Sequence, residues 1–556
     1  MKDDIINIAK HLPVMARLYP DKEAIAVSSG EEDDGKIIYR AMTFSELDKE
    51  SDKYAHGMAK LDIKMGTRVL LMVSPGFDFT ILAFALFKTG AAPVLIDPGM
   101  GKANLLNCVQ DSRPEVMIAV GKAHLAKMIY PRFFKTVKRS IIVGKSFNWA
   151  GAGPDRIWID TEDPFDIAKT KSDDMAAIIF TTGSTGPPKG VVYTHGMFDA
   201  QLTMIRDHYG LTEKDIDLPV FPLFALFSIA LGMSVVIPEM DPTRPADLDP
   251  QKIVNAITQK HVTFTFGSPA VWRKVSAYCA EKGIRLLSLK KILMAGAPVR
   301  KEIHDRLLNK ILAPGAMTYT PYGCTEGLPI SDITGREVMD ETWDETCEGR
   351  GICVGYPLPG IVVEVIKITD EPEPEWSDDL KVRHGEIGEF VASGPVVSRE
   401  YFRLPEPTRY HKIYDRNSGT VRHRMGDLGY VDDKGRMWFC GRKSHRVIVE
   451  GETLFADQCE ALFNADPYVV RTALVGVGEA PGQTPVIIAE LNKKGLAADK
   501  DVVIKSLLGH ADGNVMTKPI KTILFHKKFP TDVRHNAKIF REQLKAWAEK
   551  KTKKAY

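Results

Sequence analysis

The stretch IIFTTGSTGPPKGVVYTHG, residues 178–196, decides how the rest of the chain is read. One apolar run enters it and another leaves, so the loop between them is a strand-to-strand connection. Thr181, Thr182, Ser184 and Thr185 supply hydroxyls, while Gly183, Gly186 and Gly190 let backbone N–H groups approach an anion closely. Lys189 adds a point charge for phosphate oxygens. Such a loop suits a polyphosphate. A P-loop is excluded because Lys189 stands between Pro188 and Gly190 instead of following glycine. A dinucleotide fingerprint is excluded because position 156, where a third glycine would follow Gly151 and Gly153, is Arg.

On either side of this loop, strands alternate with helices. Residues 68–97 read as strand RVLLMV, a helix over 77–88, and strand APVLID. VTFTFG (262–267), KKILMAG (290–296) and AMTYTPYG (316–323) read as buried strands, with helices over 268–282 and 299–312. This alternation predicts an α/β fold with parallel sheets covered on both faces. From about residue 355 the pattern turns antiparallel: strands at 361–368 and 386–394, then a hairpin over 431–439 turning at Asp433-Lys434-Gly435. Two αβ subdomains and a β-rich one should make a large N-terminal domain over 1–441. A small mobile α+β C-terminal domain over 442–556 should follow, with the basic, polar stretch 441–446 as linker.

Composition narrows the function classes. Lys+Arg 74 against Asp+Glu 72 leaves a net charge of +2, no basis for a broad nucleic-acid-binding face. The basic tail at Lys550, Lys551, Lys553 and Lys554 reads as a solvated helix end. Seven scattered cysteines without a C-x-x-C pair argue against a zinc knuckle or disulfide framework. The longest apolar stretch, 79–87, falls short of the ~20 residues that span a bilayer. The N-terminus lacks the apolar core of a signal peptide, so a cytoplasmic location is expected.

Across nearly its whole length the chain resembles the adenylate-forming superfamily of acyl-CoA ligases, peptide-synthetase adenylation domains and luciferases. Beyond the 178–196 loop, its motifs follow in family order: Gly296-Ala297-Pro298, Tyr322-Gly323-Cys324-Thr325-Glu326, Gly426-Asp427-Leu428-Gly429-Tyr430 with Arg442, and Arg534-His535-Asn536-Ala537-Lys538. The resemblance implies ATP and Mg²⁺ as cofactors. It implies that Gly296, Ala297 and Pro298 contact adenine, that Tyr322 stacks on it beside Gly323, and that Thr325 touches phosphate. Glu326, with Thr182, would hold Mg²⁺; Asp427 and Arg442 would take the ribose; Lys538 would be the catalytic lysine. His195, at the family's Thr-His position, would position the site. A carboxylate attacking the α-phosphate gathers negative charge, which Lys538, Mg²⁺ and the loop amides would neutralise.

The acceptor is read from departures. Ala225 replaces the histidine of P-L-F-H in common acyl-CoA ligases, Ser444 stands at the hinge position, and Ala537 replaces a glycine. Together with residues 221–233, 240–250, 351–360 and 532–544, these departures make the chain similar to the olefin β-lactone synthetases. That resemblance implies activation of a long-chain 2-alkyl-3-hydroxy acid, closed by its own hydroxyl to a β-lactone. It also implies a pathway shared with a condensing enzyme, a reductase and a β-lactone decarboxylase. Phe221, Phe224, Phe227, Ile229, Met233 and Trp272 are expected to line the acyl tunnel, and His445 or His535 to serve as base. Three other readings remain. One is a fatty acyl-CoA ligase, kept open by Gly451; another is a ligase loading a carrier protein. The third, a catalytically silent nucleotide-binding scaffold, would have lost Lys538, Glu326 or the loop.

Overall fold

The computed structural model describes residues 5–32, 36–144, 153, 157–181, 186–531 and 539–552. Two largely parallel sheets form its larger part. In the six-stranded sheet the order is Arg139–Val143, Val116–Val120, Arg68–Met72, Ala92–Leu95, Met175–Phe180, Gly190–Thr194. Only the last pair is antiparallel, as the turn-back through the 181–189 loop requires. Buried parallel strands need apolar residues on both faces, and Val116–Val120 and Met175–Phe180 are buried along most of their length. Helix Phe77–Thr89 is apolar around nearly its whole circumference and correspondingly buried, lying over Phe44–Lys60. Gly90, at φ 72°, ends it in the left-handed conformation. Thr43 and Glu46 start Phe44–Lys60 with reciprocal side-chain-to-backbone hydrogen bonds.

The seven-stranded sheet runs Met317–Tyr319, Lys291–Met294, Phe264–Gly267, Ile216–Asp217, Ser234–Ile237, Glu23–Glu31, Ile37–Thr43. Its helix Pro269–Lys282 matches expectation, but the one expected over 299–312 is shorter. Lys301–Arg306 is α-helical and then widens into a π turn over Leu307–Ile311. The single strand expected at 316–323 is also divided. Pro321 offers no N–H to a ladder, and the chain passes there from Met317–Tyr319 in this sheet to Tyr322–Cys324 in the next.

That next sheet is antiparallel: Tyr322–Cys324, Gly327–Asp332, Ile352–Pro357, Met437–Arg442, Val421–Val431, Gly388–Ser393, Val362–Ile366, with Lys412–Tyr414 on Val421–Val431. After it, strands Val469–Val477, Thr484–Leu491 and Thr522–Phe525 form a three-stranded sheet, beside the hairpin Val447–Val449 and Glu452–Leu454. Helices Ala456–Asn464 and Lys500–Asp512 share a core with it around Phe463, Leu474, Ile487 and Leu507. Two αβ sheets, a β-rich sheet and a small α+β unit are thus present, as expected, although the chain begins in the seven-stranded sheet, passes through the six-stranded one and then returns. Among the described residues no helix is long and apolar enough to cross a membrane.

Candidate active site

The neck of the 181–189 loop is closed by a reciprocal pair. Thr181 N–H donates to the Lys189 carbonyl at 3.0 Å, and Lys189 N–H donates to Thr181 Oγ1 at 3.0 Å. Gly186 sits at φ 155°. Thr182, Gly183, Ser184 and Thr185 lie outside the described residues, as do His535 and Lys538. From the neck, Lys189 extends its amine to His411 Nε2 at 3.0 Å and lies over the Tyr401 ring. Burial lowers the Lys189 amine, and Glu326 opposes that shift. Burial and Lys189 together push His411 down to about 4, leaving a neutral ring that accepts from the lysine.

Tyr401 leads to the carboxylate at the centre. Its hydroxyl donates to Glu326 Oε1 at 2.6 Å, and both residues are buried. Burial pushes Glu326 up, but His423, the Tyr401 hydrogen bond and Lys412 outweigh it and hold the group at about 2. Lys412, itself pushed down to about 8 by burial, donates to the Ser398 carbonyl and hydroxyl at 2.6 and 2.9 Å. The turn bearing Glu326 and the strand after it are pinned at three points. Tyr193 Oη donates to the Thr325 carbonyl at 2.6 Å, Ser398 N–H to the Glu326 carbonyl at 2.7 Å, and Gln201 Nε2 to the Leu328 carbonyl at 2.8 Å. Gly323 is required by the tight turn, since a Cβ there would lie 2.7 Å from the Gly327 carbonyl oxygen.

Cys324, Glu326 and His423 place one potential ligand atom each within 4.8 Å of one another, the sole such group among the described residues. The thiol is a soft donor and the imidazole a borderline one. The ionised Glu326 carboxylate is the hard oxygen donor Mg²⁺ takes, together with substrate phosphates and water. Of the three side chains, Glu326 alone is a Mg²⁺ ligand.

On the other flank, Tyr322 Oη donates to Asp427 Oδ2 at 2.6 Å, and Arg442 Nη1 lies 2.9 Å from Asp427 Oδ1. Strand register brings this about, because Asp427 pairs directly with Arg442 between Val421–Val431 and Met437–Arg442. The Gly296–Pro298 turn follows Lys291–Met294, with Gly296 at φ 94°; Gly296 and Pro298 are exposed. A partly open apolar cavity adjoins these elements. Phe224, Phe227 and Phe266 line one side, Phe224 stacked on Phe266 at 4.0 Å. The remaining wall includes Leu293, before the exposed turn, and Pro321, Leu328 and Pro329, which flank the Tyr322–Glu326 segment.

Six sequence assignments change, one of them Phe221, which packs against Phe224 from outside the lining. His195 is fully buried at the start of helix His195–Tyr209, packed against Phe87, with burial lowering it to about 4. It is a neutral core histidine outside the cavity lining. Trp272 and Ile229 are fully buried core residues outside the lining, and Met233 packs behind it with Ile205 and Phe264. His445 is pushed down to about 3 by burial, Arg541 and Arg442, so it is unsuited to accept a proton near neutrality. Tyr401, Lys412, His411 and His423 were not found from sequence. They come from 75 or more residues beyond Glu326, and no spacing links them to it.

Residues 14–402 match the AMP-binding enzyme family. The chain is 42% identical over 550 residues to an olefin beta-lactone synthetase of Xanthomonas campestris, covering 98% of each chain. It is 40% identical over 556 residues to an olefin beta-lactone synthetase of Stenotrophomonas maltophilia, covering 99% of each. Among solved structures, ATP-bound MatB from Rhodopseudomonas palustris superposes with a TM-score of 0.75 at 21% identity, covering 98% of this chain and 99% of that one.

Proposed function

The chain belongs to the AMP-binding enzyme family as an adenylate-forming ligase, and on that premise we propose that it converts a long-chain 2-alkyl-3-hydroxy acid into a β-lactone. In the first half-reaction the acid's carboxylate attacks the α-phosphorus of ATP, forming acyl-AMP and releasing diphosphate. In the second, the substrate's 3-hydroxyl oxygen attacks the acyl carbonyl. The C–O bond to AMP breaks, AMP departs, and the hydroxyl proton leaves for solvent or a base.

The observation that carries this reading is the apolar cavity, whose wall is built from the segments that bear the exposed turn and Glu326. An acyl chain held there has its carboxyl directed to the nucleotide elements. Whole-length identity to two olefin beta-lactone synthetases supports the intramolecular acceptor. A hydroxyl held against an activated carbonyl in the same molecule enjoys an effective molarity of roughly 10⁵–10⁸ M.

Within this reading the 181–189 loop and Lys189 grip the polyphosphate, and Tyr322 and the Gly296–Pro298 turn enclose the adenine. Asp427 and Arg442 take the ribose. Mg²⁺ bound through Glu326 supplies charge neutralisation at the phosphates. Lys538 arrives by rotation of a C-terminal domain over 442–556. Three ion pairs fasten the linker in this arrangement: Arg442 to Asp427, Lys443 to Glu389 and Arg446 to Asp370. Phe224 and Phe227 hold the acyl chain and exclude water.

The test is a product assay with Mg·ATP and a 2-alkyl-3-hydroxy fatty acid, with and without CoA. β-Lactone plus AMP is expected without CoA. A thioester formed only with CoA, and no lactone, would overturn the reading.

A further inference from the structure

Among the described residues Ser228 is the one aliphatic hydroxyl lining the cavity; apart from Tyr209, the other lining side chains are hydrocarbon. It lies on the short helix Ala225–Ala230, where a serine ordinarily bonds a carbonyl three or four residues back. Here its hydroxyl instead donates to Asp217 Oδ2 at 2.6 Å. Asp217 is fully buried on the strand Ile216–Asp217, paired with Phe264 of the cavity wall, and its Oδ1 has no hydrogen-bond partner among the described residues. Burial lifts its carboxyl to about 7 against the Ser228 hydrogen bond, with Asp215 adding to the rise. Asp215 accepts from Thr212 and Thr263 and does not share the serine. Enclosing a carboxyl group against an apolar wall carries a desolvation penalty that a valine–alanine pair at these positions would avoid. The serine–carboxyl pair therefore calls for a role beyond packing.

We propose that Ser228, fixed by Asp217, is the point at which the cavity recognises a hydroxyl on the acyl chain, which under the reaction proposed above is the 3-hydroxyl. With its hydrogen engaged by Asp217, the Ser228 oxygen keeps lone pairs, on a residue of the cavity wall, to which a hydroxyl can donate. A substrate hydroxyl donates to it and keeps its lone pairs turned away, available to the neighbouring carbonyl carbon. An acid lacking the hydroxyl leaves the serine oxygen without that donor inside an apolar wall. Discrimination of about tenfold is expected from one such hydrogen bond. This assignment rests on the proposed substrate class but not on the identity of the acceptor.

ATP–pyrophosphate exchange tests it, because exchange reports adenylation alone. Two 2-alkyl acids of equal length, with and without the 3-hydroxyl, are compared by kcat/KM. The wild-type protein should favour the hydroxy acid by about tenfold. Ser228→Ala should bring the ratio to within about twofold, and Ser228→Thr, which keeps the hydroxyl, should retain most of it. Thermal melting confirms that each variant is folded. A wild-type ratio near one, or a ratio unchanged in Ser228→Ala, overturns the assignment. So does an equal loss on both acids in the alanine and threonine variants, the mark of a packing role. If the wild-type protein makes no lactone yet shows a Ser228-dependent ratio, the proposed reaction fails and the hydroxyl recognition stands. Lactone formed with a ratio indifferent to Ser228 gives the reverse.

Discussion

Replacing Glu326 with glutamine is expected to slow acyl-adenylate formation by roughly 10²–10³, the usual effect of removing one preorganised charge from a transition state. Glutamine keeps the shape and can still accept from the Tyr401 hydroxyl, so the packing around the 2.6 Å contact survives. What disappears is a negative charge that the surrounding groups hold ionised down to about pH 2. Pyrophosphate exchange at saturating ATP, repeated across a range of Mg²⁺ concentrations, measures the effect. A fall smaller than about tenfold would remove Glu326 from the phosphate chemistry and leave it a structural partner of Tyr401. The control is Tyr401→Phe, which deletes the hydroxyl but spares the charge and should cost far less than Glu326→Gln.

The second large effect concerns stability. Glu389→Ala should destabilise the antiparallel sheet by about 3–5 kcal/mol, the cost of stranding a buried cation. The Glu389 and Arg424 side chains are each 1% exposed and meet at 2.6 Å, with Lys443 a further 3.1 Å away. Removing the carboxylate leaves a buried guanidinium facing an ammonium at the start of the linker. Urea unfolding followed by circular dichroism should show an early transition absent from the wild-type protein. Replacing both Glu389 and Arg424 with methionine should recover part of the loss, since an apolar pair of similar volume is often as stable as a buried ion pair. A single-variant loss below about 1 kcal/mol would mean that water reaches Arg424 once the carboxylate is gone.

The parts of this architecture visible in sequence are those that repeat a physical pattern. Arg68–Met72 and Val116–Val120 could be read because a parallel strand covered on both faces must be apolar throughout. The turn-back through 181–189 could be read because one apolar run enters it and another leaves. Register was less accessible. That Asp427 stands opposite Arg442 follows from a ladder whose shifts at Leu428 and Gly429 no periodicity announces. Burial was the least accessible. The motif position of His195 says nothing of its ring turning inward onto Phe87. Trp272 resembles Phe224 as a large apolar residue, yet one belongs to the neighbouring core and the other to the cavity wall. Tyr401, Lys412 and His423 are ordinary in their own neighbourhoods. They matter because the antiparallel sheet and the segments beside it return to Glu326.

The cavity wall also bears on how faithfully nucleotide cleavage is tied to product. Under the proposed reaction every acyl-AMP has two fates, ring closure or capture by water, and both consume one ATP. Phe224 stacked on Phe266, with Leu293 and Leu328 across from them, offers a stray water molecule few hydrogen bonds. Carving a polar notch into that wall, with the phosphate-handling residues intact, would leave AMP production running while organic product declined. Under that reaction, the yield of lactone per ATP is set by the hydrocarbon side chains of the cavity wall.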